Sequence, residues 1–186
     1  MLRRYIVLIF AVLAACGFNG NYRDTSITMR SVQDLEMRRY IGTWFEIARF
    51  PNGFEEGCAG VTAEYNIRDD GRISVINTCY QGGLDGPVEV AEGTARVAAP
   101  GQLKVKFVGW LPFEGDYWVI GLDPDYKWAV VGEPAGDFGW ILARDPQLSQ
   151  EDLAAASDVL RSFGYNLGAL EFTVQPGGVT EALQSN

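Results

Sequence analysis

From Thr43 to Arg144 the chain alternates short apolar or period-two runs with turn chemistry. The breaks fall roughly every ten to fifteen residues. They are Pro51-Asn-Gly, Asp69-Asp-Gly, Gly82-Gly with Asp85-Gly-Pro87, Pro100-Gly, Asp123-Pro-Asp and Pro134 to Gly136. Alternation of this length is the mark of half-buried strands, and it predicts eight of them. Their spans are about 43–50, 60–68, 72–80, 88–98, 102–109, 116–123, 127–133 and 138–144. No long helical period interrupts the series. Eight meandering strands without a crossover predict an all-β fold: an eight-stranded up-and-down antiparallel barrel, because closing the sheet removes its edges. Eight strands enclose room for one small ligand or for the barrel's own side chains. A two-sheet sandwich is the competing architecture.

The hairpin around Asp69-Asp70-Gly71 sets the faces. A two-residue turn at Asp70-Gly71 pairs Ile67 with Ser74, apolar against polar. A three-residue loop with left-handed Gly71 pairs Ile67 with Ile73 and Tyr65 with Val75, and is preferred. Carried around the sheet, that parity points Val61, Ala63, Tyr65, Ile73, Val75, Leu103, Val105, Phe107, Tyr117 and Val119 inward as wall and ligand-contact positions. Trp44 and Glu46 share one strand face. An inward Glu46 is costly unless neutral, paired or in contact with a polar group; a bulge that leaves it on the solvated rim is the alternative. Beyond the strands, Ser149-Gln-Glu-Asp152 reads as a helix start, followed by Leu153, Ala156, Val159, Leu160 and Phe163 at helical spacing and Gly164 as the stop. That stripe predicts one helix packed on the barrel's outer wall. Leu170 to Val174 reads as a last short strand. Between strands, Trp110, Leu111 and Phe113 form a cluster that could touch a membrane or a second subunit of a homodimer, or cap the domain's own core.

Composition narrows the chemistry. Of 186 residues, 15 are Lys or Arg and 24 Asp or Glu, a net charge of −9 that gives no electrostatic basis for binding nucleic acid. The chain has no histidine, which removes Ser-His-Asp and Cys-His nucleophilic machinery and most zinc sites. No cofactor or metal is expected. An enzyme that modifies a bound lipid would need a free thiolate or an acid–base pair; Glu46→Gln is its test.

Arg3 and Arg4 precede the apolar run Tyr5 to Ala15, the n- and h-regions of an export signal. The run is shorter than the ~20 residues a spanning helix needs. It closes as Leu13-Ala14-Ala15-Cys16, which resembles the lipobox of bacterial lipoproteins. That resemblance implies cleavage before Cys16, lipidation of Cys16, and, with Gly17 rather than Asp next, an outer-membrane anchor facing the periplasm. Cleavage removes two basic side chains and leaves −11. The expected organisation is a signal peptide (1–15), a flexible lipidated tether (16–30), the barrel domain (31–176) and a polar tail (177–186). Cys58 and Cys79, an even pair in an oxidising compartment, are expected to form a disulfide. On a straight strand they would stand ~10 Å apart, more than a disulfide spans, so the chain must fold back near Glu56-Gly57-Cys58-Ala59-Gly60.

Barrel, export signal and terminal helix together resemble a lipocalin, and short motifs carry the likeness. Gly42-Thr43-Trp44, preceded by the helical turn Asp34 to Tyr40, looks like the family's Gly-x-Trp. Gly115-Asp116-Tyr117 looks like its second motif, usually Thr-Asp-Tyr, and Arg144 resembles the arginine of the third. The resemblance implies that Arg144 lies across Trp44 at the closed end, a structural role. With the lipobox, the likeness is greatest to bacterial outer-membrane lipocalins. It implies a calyx that binds a fatty acid or lysophospholipid for lipid storage or transport in envelope maintenance, without catalysis. Ten buried methylenes at ~0.8 kcal/mol each support micromolar affinity after ordering costs. A lipid-modifying enzyme and a ligand-free envelope scaffold are the alternatives.

Overall fold

The structure is a computed structural model that describes residues 21–107 and 114–177. The signal segment, Cys16, the Trp110/Leu111/Phe113 cluster and the tail from 178 lie outside the described residues. After a short helix α1 (Met37–Tyr40) come β1 (Gly42–Arg49), β2 (Cys58–Ile67), β3 (Ile73–Gln81), β4 (Val88–Ala99), β5 (Gln102–Phe107), β6 (Gly115–Leu122), β7 (Trp128–Gly132) and β8 (Gly139–Ala143). Helix α2 (Gln150–Ser162) and the two-residue β9 (Glu171–Phe172) follow. Each strand pairs antiparallel with the next, β8 pairs with β1, and β1 pairs with β2. The sheet therefore closes into one barrel, not the sandwich.

The hairpin register is the expected one, with Ile67 opposite Ile73 and Tyr65 opposite Val75, and Gly71 is left-handed at φ 77°. Further up β2, a bulge lies between Ala59 and Thr62, which face Tyr80 and Thr78. Gly60 sits in it at φ 58°, a backbone geometry glycine adopts without a Cβ penalty. The bulge absorbs the excess residues, so Cys58 pairs opposite Gln81 and the Cys58–Cys79 disulfide forms with 5.4 Å between Cα atoms. This is the fold-back that the sequence required.

Two apolar layers result. The inner one contains Trp44, Ala63, Tyr65, Ile73, Val75, Ala95, Leu103, Val119, Val131 and Leu142. The outer one buries Phe50, Ile120, Trp128, Val130, Ile141 and Ala143 beneath Ala156 and Leu160 of α2. Ser149 caps that helix, its Oγ accepting from the Asp152 N–H at 3.0 Å. Residues 21–30 are not a flexible tether. Tyr22 N–H donates to Gly136 O at 2.7 Å, Asp24 N–H to Gly164 O at 2.9 Å, and Met29 is buried in the outer layer. The arm lacks a periodic pattern because individual anchors hold it, without a ladder.

The barrel's lower end is closed. Trp44 is fully buried and its Nε1–H donates to Tyr40 O at 2.7 Å. The Arg144 guanidinium lies 3.8 Å from the Trp44 ring centre. It donates to the carbonyls of Thr43 (2.8 Å), Arg39 (2.7 Å), Tyr40 (3.1 Å) and Ile41 (2.9 Å). Three of these, on Arg39, Tyr40 and Ile41, are carbonyls that the C-terminal end of α1 leaves without helical partners, and the fourth belongs to β1. Gly42 turns the chain into β1 at φ 95°.

Candidate functional site

Three phenols cluster beside Trp44 inside the barrel. Tyr117 OH lies 2.7 Å from Tyr40 OH and 3.0 Å from Tyr65 OH. Burial pushes all three pKa values up, Tyr65 to about 12, so they stay neutral donors and acceptors. Ala63, Ile73, Val75, Leu103 and Val119 surround them, all buried; Val105, Phe107 and Tyr117 are partly buried against the same cluster. Val61 is buried higher on β2. Of the positions expected on the wall, all but Val61 pack in the inner layer. Asp116 lies on the outer face, 2.8 Å from Lys104 Nζ, and accepts from Trp118 Nε1–H at 3.2 Å.

Nearer the mouth the lining turns polar. Glu46 is buried at 2% exposure, so it does not lie on the solvated rim. The register of β1 shifts between Glu46 and Ala48, so Ile47 and Ala48 both join the outer layer and Arg49 turns in behind Glu46. Arg49 Nε lies 3.5 Å from Glu55 Oε2 and 4.0 Å from Glu46 Oε1, and its Nη2 donates to Glu55 O at 2.9 Å. Glu55 belongs to the β1–β2 loop and also accepts from Asn52 Nδ2 at 2.5 Å and Trp140 Nε1–H at 3.2 Å. Burial, and then the neighbouring Glu55 carboxylate, raise the Glu46 pKa well above the usual range, against the opposing Thr173 hydroxyl and Arg49. Asn77, on the inner face opposite Ala63, has a buried Oδ1 without a hydrogen-bond partner among the described residues.

The chain's C-terminal end completes this wall. β1 and β2 pair only from Gly42 to Phe45. Above that, residues 171–175 occupy the gap: Thr173 N–H donates to Ile47 O at 3.0 Å and Gly60 N–H to Val174 O at 2.7 Å. Gln175 Nε2 donates to Glu46 O and Val61 O, both at 2.8 Å, and the Thr173 hydroxyl donates to the Glu46 carboxyl. Sequence reasoning missed Arg49, Asn52, Glu55, Trp140, Thr173 and Gln175. Arg49 was hidden by the bulge that breaks parity. The loop and strap residues carry no periodic signal; the buried placement of Glu46 was the one pointer to partners.

Comparison with known proteins is consistent across sequence and structure. A family model described as a lipocalin-like domain matches residues 35–175. The chain is 42% identical over 149 residues to the outer membrane lipoprotein Blc of Escherichia coli strain K12, covering 78% of this chain and 82% of that one. It is 31% identical over 153 residues to apolipoprotein D of Cavia porcellus, covering 77% and 78%. Among solved structures it superimposes on insecticyanin from the tobacco hornworm Manduca sexta with a TM-score of 0.63 at 21% identity, over 85% of this chain and 92% of that one. The last likeness speaks to the fold alone.

Proposed function

The chain belongs to the lipocalin family, and from that premise we propose that it is a lipid-binding protein anchored to the outer membrane. In this reading the calyx takes a fatty acid or lysophospholipid, for lipid storage or transport in envelope maintenance. The observation that carries the reading is the make-up of the barrel interior. Its lower half is aliphatic and phenolic, suited to an acyl chain at ~0.8 kcal/mol per buried methylene. Toward the mouth it turns polar at Asn77, whose buried Oδ1 has no hydrogen-bond partner among the described residues and suits the polar end of the same molecule. The lipobox ending at Cys16 supports the anchor, as does the likeness to relatives named outer membrane lipoproteins.

The structure does bring two carboxyls, Glu46 and Glu55, into one cluster, an arrangement an acid–base enzyme could use. Their oxygens are engaged by Thr173, Asn52 and Trp140, which favours a role in holding strap and loop and supports binding over catalysis. The test is native mass spectrometry of the chain carrying Cys16→Ala, titrated with palmitate and with lysophosphatidylethanolamine while Trp fluorescence is followed. A saturable one-to-one adduct with a fluorescence change is expected; an adduct-free protein with no response across both lipids would refute the reading.

A further inference from the structure

We propose that the docked N-terminal arm makes the lipid anchor a short leash leaving from the rim of the calyx, so that the open mouth faces the bilayer. The proposal rests on the anchored reading above, and adds an orientation to it. Strand direction defines the mouth: β1, β3 and β7 end there, at Arg49, Gln81 and Gly132, and β2, β4 and β8 start there, at Cys58, Val88 and Gly139. The loops at that end include residues 50–57, 82–87 and 133–138.

The arm is fixed to two of these loops or their neighbours by its first residues. Tyr22 N–H donates to Gly136 O at 2.7 Å, its OH to Pro51 O at 2.8 Å, and its ring stacks on Phe50 at 4.9 Å. Arg23 is buried at 6% exposure. Its guanidinium donates to Pro134 O at 2.5 Å, Phe163 O at 3.1 Å and Ile27 O. A Cβ at position 136 would lie 2.1 Å from Arg23 Cγ, and Gly136 is at φ 82°, so glycine there permits both the turn and the close approach. From this clamp the arm runs to the opposite end, where Ser31 Oγ donates to Pro100 O at 2.8 Å.

Length decides the consequence. A free chain from Cys16 to Arg30 would reach ~50 Å, more than the roughly 20 Å height of a tilted eight-residue strand, and either end could meet the membrane. With the arm docked from Asn21, only five residues separate the anchor from the rim, a reach of ~18 Å. Turning the closed end to the bilayer would require this leash to pass the full barrel height. The rim offers apolar surface at Phe54 (40% exposed), Val88 and Val90 (both 56%). It also carries exposed Glu56, Asp85, Glu89 and Asp137, which oppose contact with anionic lipid over a Debye length of ~10 Å. The leash exceeds that length, so the mouth is apposed to the surface across a thin water layer instead of inserted in it.

The experiment uses the full-length lipoprotein on vesicles of phosphatidylethanolamine and phosphatidylglycerol that carry a headgroup nitroxide. Single labels are placed at the rim by Asp85→Cys and at the closed end by Asp69→Cys, both exposed positions. Flotation reports anchoring and fluorescence quenching reports orientation. The expected result is co-flotation, loss of rim fluorescence and little loss at the closed end. Inserting a long Gly/Ser linker between Gly20 and Asn21 should abolish that difference without touching the folded domain, and Arg23→Ala should weaken it. Failure to float removes the anchored reading and the proposal with it. Flotation with equal quenching at both sites, or with more at Asp69→Cys, overturns the orientation alone.

Discussion

Arg144→Ala offers a quantitative trial of how the barrel's closed end is held. The guanidinium donates to four carbonyls and covers the Trp44 ring at 3.8 Å. Hydrogen bonds from charged groups contribute about 1.5–3 kcal/mol net, and a cation over Trp about 0.5–2. Simple addition overshoots, because Arg144 is only partly buried and water will reach some of the freed carbonyls. A loss of about 2–4 kcal/mol is therefore expected, or roughly 5–15 °C in Tm for a domain of this size. Urea unfolding followed by Trp fluorescence measures it, with the m-value expected to stay constant. Arg144→Lys keeps charge over the ring but lacks the planar fork that reaches several carbonyls at once, so it should recover less than half. A loss under about 1 kcal/mol for Arg144→Ala would refute the view that this residue ties α1 to β1.

Trp44→Ala, which empties the fully buried floor, should cost about 3–5 kcal/mol in the same unfolding assay; a loss below about 1 would mean that Trp44 is not core. Replacing both Cys58 and Cys79 by Ala opens a link spanning 21 residues of sequence separation, for which chain entropy predicts about 3 kcal/mol of lost stability. Reduction of the native protein should mimic it, and an unchanged midpoint in either case would refute the estimate. Glu46 has its folded pKa raised above the ordinary 4.5 by burial and by Glu55, so the folded state keeps a proton that the unfolded chain releases. Stability from this residue is present at pH below the unfolded value and falls as pH rises toward the folded one. Glu46→Gln should flatten that slope above the ordinary carboxylate range, and equal slopes in the two proteins would sink the assignment. In hydrogen exchange, the amide of Gly60, in a single bond to the Val174 carbonyl beside the β2 bulge, should open before that of Tyr65 inside the β2–β3 ladder; the reverse order would show the strap to be part of the ladder's cooperative unit.

What could be foreseen in the sequence follows from periodicity. All eight strands and α2 lie where alternation and helical spacing put them, and the Tyr65–Val75 register follows from a three-residue loop with left-handed Gly71. The inner wall from Ala63 to Val119 follows from the same parity, while Val61 lies within the β2 bulge. The polar upper lumen did not, because Arg49 lies beyond a bulge that inverts parity. Glu55, Thr173 and Gln175 come from segments whose placement depends on partners far along the chain: Gln175 reaches a carbonyl on a residue 129 positions away. The arm at 21–30 was misjudged for a related reason. Gly, Asn, Ser and Thr suggested solvation, whereas Tyr22, Arg23 and Met29 are discrete anchors with no period to reveal them.

The polar cluster and the gap in the wall have one origin. The bulge in β1 that carries Arg49 inward also ends the pairing of β1 with β2 at Phe45, and the bulge at Gly60 displaces β2 in the same region. Backbone groups freed by that divergence need partners if they are buried. The strap supplies them through Thr173 N–H, Val174 O and the Gln175 side chain. Glu46 then sits where strap, β1 and the Glu55 loop meet, and burial there favours its neutral form. A neutral carboxyl can stay close to Glu55 without like-charge repulsion, which a glutamate ionised at that depth could not. The part of the barrel where β1 and β2 do not pair directly is therefore also the part nearest the mouth. Local opening is easiest where hydrogen bonds are few and isolated, so this fold places its most yielding wall beside the polar end of the ligand it is proposed to hold.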